Sequence, residues 1–165
     1  MTVSFRVRIE DGPAQGSLAV YRDAEREVVV DFGSPGEAGE TPMIPIDNII
    51  AVLGTARDPN SGYRLEINAA NRSRTILFRN GESVAEVAQD ASFPIQYVGG
   101  HSPYRQRRLR VALVKEGATV YGYVGGRQVL KFTDPNPLEI ESVGLGGHET
   151  RANFSHIAIR ELASR

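Results

Sequence analysis

The feature of this sequence that most constrains its fold is an alternation of apolar and polar residues that recurs along nearly the whole chain. It is clear at Val3, Phe5 and Val7, where every second residue is apolar. Because successive side chains of a β-strand point to opposite faces, a period of two indicates strands with one buried face. These runs are separated at short intervals by Gly, Pro, Asn and Asp, which are typical of turns. The pattern therefore predicts an all-β protein of about eleven or twelve strands.

Individual runs predict where the strands lie. The predicted strands are 3–9, 18–21, 27–32, 49–53, 63–68, 74–79, 82–87, 108–114, 119–124, 128–132, 140–145 and 152–159. The run 49–53 is apolar throughout, which is typical of a strand buried on both faces. Asn80 and Gly81 separate two of the runs, and both can adopt the positive φ that a two-residue hairpin requires. The segment 33–45, rich in Gly and Pro, predicts a long loop.

Length and composition indicate one globular domain spanning residues 1–165. Of the 165 residues, 41% are hydrophobic and 24% are charged, which is ordinary for a soluble domain. Nineteen Lys and Arg stand against 20 Asp and Glu, so the net charge is −1 and no overall basic field favours nucleic acid. No apolar run approaches the roughly 18 residues that cross a membrane. The chain has no Cys, which excludes disulfides and thiolate metal sites.

The N-terminus does not show the pattern of a secretory signal. Such a signal has a basic start, an apolar stretch of roughly 7–15 residues and a cleavage site of small residues. Here Met1 leads directly into the alternating run 3–9. We expect a cytoplasmic location unless a leader has been removed, and the absence of Cys fits either compartment.

Two adjoining segments resemble a known family of β-domains. The segment 58–67, DPNSGYRLEI, and the segment 72–81, RSRTILFRNG, are similar to a recurrent piece of concanavalin A-like lectin/glucanase domains, the laminin-G-like jelly rolls. The C-terminal half resembles the closing meander of the same family. The resemblance extends over residues 48–162 and, more weakly, over 3–32. It implies an antiparallel β-sandwich with the concanavalin A-like jelly-roll fold.

The resemblance implies a fold more than a function, because jelly rolls serve as lectins, hydrolases, lyases and adhesion modules. Family members usually carry a Trp where the chain enters the strand at Arg108, and this chain has no Trp. The glucanases of the family carry the pattern Glu-x-Asp-x-x-Glu on one strand. The nearest approach here is Glu139-Ile140-Glu141, which lacks the third acid. We therefore assign no catalytic residues.

The strongest candidate for a binding segment is 96–108. Binding residues concentrate in loops at the ends of a rigid sandwich, and this segment joins Gly99 and Gly100 to Tyr, His and Arg residues. Tyrosine can stack against the C–H face of a sugar, and arginine can hold a carboxylate or sulfate. We therefore predict a glycan ligand, acidic if the arginines contact it, although an ordinary connecting loop is the alternative. The predicted contacts are Tyr97, His101, Tyr104, Arg105 and Arg107.

A second candidate set follows from alternation on the predicted strand 63–68. Arg64, Glu66 and Asn68 fall on one face of this strand. Charged side chains of this kind form bidentate hydrogen bonds with sugar hydroxyls, so Arg64 and Glu66 join the predicted glycan contacts. The alternative is a solvated outer face. The tyrosines at alternating strand positions that could stack on a sugar ring are Tyr63, Tyr121 and Tyr123.

Candidates for metal or acid–base chemistry are weaker. His148 beside Glu149 could act as an acid–base pair or as metal ligands, but the spacing fits no metal motif. Asp58 and Asn60 could ligate calcium, yet they fall short of the roughly six to eight oxygens that Ca²⁺ prefers, and Pro59 is typical of a turn. We predict no cofactor and no metal, with calcium as the only candidate ion.

Three functions remain open on the sequence alone. The first is a carbohydrate-binding or interaction module. The second is a glycoside hydrolase or lyase, for which two groups among His101, His148, Glu66 and Glu149 would have to share a cleft. The third is a structural subunit whose exposed strands pair with a partner protein or with a second copy of the chain.

Overall fold

The structure is an all-β sandwich, as predicted. The structure is a computed structural model, and it describes residues 1–9, 17–23, 26–31, 48–55, 61–69, 73–90, 109–148 and 152–160. Within these ranges the chain forms twelve strands, each overlapping a predicted run. They are β1 (Thr2–Ile9), β2 (Ser17–Asp23), β3 (Arg26–Asp31), β4 (Asn48–Gly54), β5 (Tyr63–Asn68), β6 (Arg74–Arg79), β7 (Glu82–Ala88), β8 (Leu109–Glu116), β9 (Thr119–Val124), β10 (Arg127–Thr133), β11 (Ser142–His148) and β12 (Ala152–Arg160). These ranges contain no helix long and apolar enough to cross a membrane.

The strands form two antiparallel sheets. Counting described residues only, the small sheet has five strands in the order β10-β9-β8-β1-β12, and the large sheet has seven in the order β3-β2-β11-β4-β5-β6-β7. Each sheet contains neighbouring strands that are distant in sequence. In the small sheet β1 pairs with β12, and in the large sheet β11 pairs with both β2 and β4. Such crossing connections place strands from both ends of the chain beside each other, which is the arrangement of a jelly roll.

The core lies between the two sheets. On β5, the alternation puts Tyr63, Leu65 and Ile67 into it, and all three are fully buried. Val111 and Leu113 of β8 belong to the same cluster and come from the small sheet. Full burial of an aliphatic side chain contributes about 1.5–3 kcal/mol, so this shared cluster holds the two sheets together. β4 is buried along its whole length, as its apolar run predicts.

Asn80 and Gly81 form the predicted two-residue hairpin between β6 and β7. Their φ angles are +48° and +85°, which is the type I′ geometry favoured by the right-handed twist of the strands. Asn80 also holds the residue before β5. The Gly62 amide donates to Asn80 Oδ1 at 2.8 Å, and the Asn80 amide donates to the Gly62 carbonyl at 2.8 Å. The hairpin therefore fixes the entry of the chain into β5.

One edge of the small sheet is formed by β12, which combines an exposed apolar pair with a bulge. Ile157 and Ile159 are 42% and 43% exposed. His156 has a φ of +53°, and the register with β1 shifts at this point. A bulge interrupts the row of backbone groups with which another chain could pair. Pairing of exposed strands with a partner chain therefore stays a prediction.

Candidate functional site

The candidate site lies on the outer face of the large sheet, around β5. Arg64 and Glu66 point to this face because Leu65 between them is buried in the core. The residues opposite them on the neighbouring strands are apolar or glycine. These are Ile50 and Val52 on β4, Ile76 and Phe78 on β6, and, one strand further, Gly144 and Gly146 on β11.

This outer face is recessed from solvent. Ile50 and Val52 are only 3% and 2% exposed although they point away from the core. Gly144 and Gly146, which lie opposite them on β11, are also buried and contribute no side chain. The β4 and β11 residues therefore form a buried floor, beside which Arg64, Glu66, Ile76 and Phe78 are partly exposed.

Arg64 and Glu66 form an ion pair on this floor. Arg64 Nε lies 3.4 Å from Glu66 Oε1, and the two side chains are 21% and 16% exposed. The guanidinium carbon of Arg64 lies 4.5 Å from the centre of the Phe78 ring, within the range of a cation–π interaction. Both side chains are therefore partly exposed, and the alternative of a solvated outer face stays open.

Asn48 adds an acceptor to the same face, and sequence reasoning missed it. It precedes Ile50 by two residues on β4, so alternation puts it on the outer side. Asn48 is 8% exposed, and its Oδ1 is buried with no hydrogen-bond partner among the residues that the structure describes. A buried acceptor in this state costs about 1–3 kcal/mol and is uncommon in folded proteins. A ligand hydroxyl that reached Oδ1 would donate a hydrogen bond to it.

The structure brings together Arg64 and Glu66 of the predicted glycan contacts. The other predicted contacts lie outside the described residues, and their contribution stays a prediction: Tyr97, His101, Tyr104, Arg105 and Arg107. The calcium candidates Asp58 and Asn60, together with Glu149, also lie outside them, and only the backbone of His148 is described. Within the parts of the chain that the structure describes, no group of three or more metal-ligating side chains comes together.

Asn68 departs from the alternation that placed it beside Arg64 and Glu66. Its φ is +67°, a left-handed conformation that ends the regular pleat of β5. Its side chain is fully buried, and its Oδ1 accepts a hydrogen bond from Gln89 Nε2 at 3.1 Å. The same amide donates to Thr75 Oγ1 at 3.1 Å. Asn68 therefore belongs to a polar cluster that closes one end of the strand.

A second polar cluster, centred on Asp134, was also missed by sequence reasoning. Asp134 Oδ2 accepts hydrogen bonds from the Tyr63 hydroxyl at 2.5 Å and from Arg79 Nε at 2.6 Å. Asp134 Oδ1 accepts from the Asn136 amide at 2.9 Å, and the Leu138 amide donates to the Tyr63 hydroxyl at 3.1 Å. This cluster ties β5 and β6 to the segment that follows β10, and so joins one sheet to the other.

The cluster stabilises an ionised Asp134 carboxylate beside a protonated Tyr63 hydroxyl. Burial acts to raise the pKa of the Asp134 carboxyl, but hydrogen bonds from Tyr63, Arg79 and the Asn136 amide outweigh it and hold the pKa below its ordinary 3.8. Burial, and then the hydrogen bond to Asp134, raise the pKa of Tyr63 above its ordinary 10.0. The side chain of Asp134 is 1% exposed. The cluster is therefore a structural support that a ligand does not reach.

Comparison with known proteins identifies the fold. No family model matches the sequence, and no curated protein matches it either. Among solved structures, the carbohydrate-binding module CBM66 from Bacillus subtilis aligns with 94% of this chain and 71% of its own, with a TM-score of 0.50 and 16% sequence identity. The fold is a concanavalin A-like jelly roll. The fold that the sequence resemblance implied is thus confirmed.

Other solved structures align at lower similarity. Sheep galectin-11, in a complex with glycerol, aligns with 93% of this chain and 87% of its own, at 7% identity and a TM-score of 0.47. A Bacillus licheniformis β-glucanase aligns with 90% of this chain and 53% of its own, at 9% identity and a TM-score of 0.43.

Proposed function

We propose that this protein is a carbohydrate-binding module that holds a glycan on the recessed outer face of the large sheet. The observation that carries the proposal is the ion pair of Arg64 and Glu66, mostly removed from water on a floor of apolar and glycine residues. The jelly-roll fold supports it, since the similar structure from Bacillus subtilis is a carbohydrate-binding module.

The chemistry of this face matches the two sides of a sugar. Hydroxyl groups need donors and acceptors in fixed positions, which Arg64 and Glu66 supply as charged partners and Asn48 supplies as a neutral acceptor. The C–H face of a sugar ring needs apolar surface, which Ile76 and Phe78, both partly exposed on β6, supply beside the ion pair. A sheltered apolar site with a few polar groups is the usual form of a small-ligand site.

The experiment that tests the function is a glycan array of neutral and acidic oligosaccharides, run with and without calcium. We expect the wild-type protein to retain a defined set of glycans. Arg64→Ala and Glu66→Gln should weaken their binding by about 10–100-fold, because each change removes a charge-assisted hydrogen bond. Thermal unfolding of each variant establishes that the loss is not a loss of fold.

The matched control for this experiment is Arg74→Ala. Arg74 forms an ion pair with Glu86 on the same sheet, but both side chains are 48% exposed and lie towards its edge. We expect this variant to keep the wild-type array profile. The proposal fails if a folded wild-type protein retains no glycan, or if Arg64→Ala binds as well as Arg74→Ala does.

Asn48→Leu should raise stability while weakening glycan binding. Leucine has nearly the shape of asparagine, and it removes the buried Oδ1, for which the described part of the chain provides no partner. We expect the free energy of unfolding to rise by about 1 kcal/mol, and glycan affinity to fall by about 5–10-fold because a hydroxyl loses its acceptor. Urea unfolding and titration with an array-positive glycan measure the two effects. A destabilised variant with unchanged affinity would show that Asn48 is a structural residue.

The enzyme alternative requires a second catalytic group close to Glu66. Glycosidases use two carboxyl groups about 5–9.5 Å apart. Glu86 lies two strands away from Glu66 on the same face, but it is paired with Arg74 and largely open to water. The other groups that this alternative needs are His101, His148 and Glu149, whose side chains lie outside the described residues. A glycan-active enzyme therefore stays an alternative, which a binding array does not test.

A further inference from the structure

The outer face of the small sheet carries a pair of tyrosines that the proposed glycan site does not use. Tyr121 and Tyr123 lie side by side on β9, with ring centres 6.3 Å apart and ring planes inclined by 37°. Val120 and Val124 alternate with them and are fully buried in the core. Both tyrosine rings therefore stand on the solvent side of the sheet.

The surroundings of these rings are low and open. Ala112 lies opposite Tyr123 on β8, and Ser4 of β1 lies opposite Ala112. Neither tyrosine is buried, and neither of these two small residues is buried. The face contrasts with the outer face of the large sheet, where Ile50 is only 3% exposed. Both tyrosine rings are partly exposed, so a ligand lying on the sheet can contact them.

One cation lies over the tyrosine pair, and two others are on the same face of the sheet. Lys131 lies opposite Tyr121 on β10, with its Nζ 5.9 Å from the ring centre. Arg110 and Arg160 are exposed on the same face, on β8 and β12. Among the described side chains of this face, Glu116 is the one acid. The face is therefore locally positive in a chain whose net charge is −1.

We propose that this surface is a second binding site and that its ligand is an acidic oligosaccharide. Sugar rings stack on Tyr121 and Tyr123, while their carboxylate or sulfate groups pair with Lys131 and Arg110. An acidic sugar presents both features that the surface offers, a C–H face for an aromatic ring and an anionic group for a cation.

Charge density favours this ligand over nucleic acid. From Lys131 to Arg160 the sheet spans four strand spacings, or about 19 Å. Cations this sparse match an anionic group on each sugar or on alternate sugars. They do not match the much denser row of phosphates on a nucleic acid, whose binding depends on many simultaneous phosphate contacts.

The test is a titration of the whole protein with fluorescein-labelled hexasaccharides, followed by fluorescence anisotropy. The probes are heparin-derived and polygalacturonate-derived hexasaccharides, with maltohexaose as the neutral probe and single-stranded DNA of matched charge. We expect at least one acidic probe to bind. The double variant Tyr121→Ala with Tyr123→Ala should bind it about tenfold or more weakly. Lys131→Gln should weaken binding and flatten its dependence on salt.

Two controls test the assignment to this surface. Arg74→Ala on the large sheet, which belongs to neither proposed set of contacts, should leave the acidic probe bound as in the wild type. Tyr121→Phe with Tyr123→Phe should retain binding, because the rings remain. The proposal is overturned if neither acidic probe binds, if the alanine double variant binds as tightly as the wild type, or if DNA binds equally well.

Discussion

Replacing Gly62 by alanine should leave the protein unable to fold. A Cβ at this position would lie 2.1 Å from the carbonyl oxygen of Leu53 and 2.8 Å from Cα of Gly54. Both obstacles are backbone atoms of β4, the middle strand of the large sheet, so they cannot rotate away. The φ of +103° is also one that residues with a side chain rarely adopt. We expect the free energy of unfolding to fall by more than about 5 kcal/mol, which approaches the whole stability of many domains.

The matched control is Gly81→Ala. Gly81 also has a positive φ, of +85°, but a Cβ there would meet nothing within 4 Å. We expect the free energy of unfolding to fall by about 1–2 kcal/mol, from backbone strain alone. Circular dichroism should still show a folded protein, and urea should unfold it cooperatively. If Gly62→Ala were as stable as Gly81→Ala, the chain at residue 62 would not lie as close to the β4 backbone as the structure has it.

The second large effect is expected for Asp134→Ala. The substitution removes the acceptor shared by the Tyr63 hydroxyl and Arg79, and leaves the buried phenol without an acceptor for its proton. We expect the free energy of unfolding to fall by about 2–4 kcal/mol at neutral pH, measured by urea unfolding. Tyr63→Phe should cost less, about 1–3 kcal/mol, because it keeps the ring in the core. The control is Glu139→Ala, an exposed acid in the same segment, which should change stability by less than about 0.5 kcal/mol.

The advantage of the wild type over Asp134→Ala should depend on pH in a defined way. The pKa of Asp134 is lower in the fold than its ordinary 3.8, so its carboxylate stabilises the fold above that pH and the contribution is lost as pH falls further. The pKa of Tyr63 is higher in the fold than its ordinary 10.0, so the protonated phenol stabilises the fold until pH rises past that value. The difference between the two proteins should therefore be flat from about pH 4 to 10 and shrink outside this window. A difference that grows as the solution is made acidic would contradict the assigned hydrogen bonds.

The strands could be predicted from sequence because their information is local. A period of two defines β1 through Val3, Phe5 and Val7, and it assigns Arg64 and Glu66 to one face of β5 without knowledge of any neighbour. The hairpin at Asn80 and Gly81 could be predicted because few residue pairs tolerate two positive φ angles in succession.

The pairing of distant strands could not be predicted, and neither could the groups that depend on it. Nothing in β11 itself indicates that it inserts between β2 and β4, since the same apolar strand could pair with several others. Asp134 lies 71 residues from Tyr63, and in the sequence it is part of a turn with Pro135. Asn48 precedes an apolar run, and only the folded sheet reveals that its acceptor is buried and unpartnered within the described ranges.

The most direct test of the proposed glycan site is to locate the bound sugar by amide chemical-shift mapping. Isotope-labelled protein would be titrated with oligosaccharides that the glycan array identifies, and with a non-binding sugar as control. We predict that the largest shifts fall on β4, β5 and β11, around Val52, Arg64, Glu66 and Gly144. Shifts confined to other strands, or spread evenly over the whole chain, would contradict a glycan site on the outer face of the large sheet.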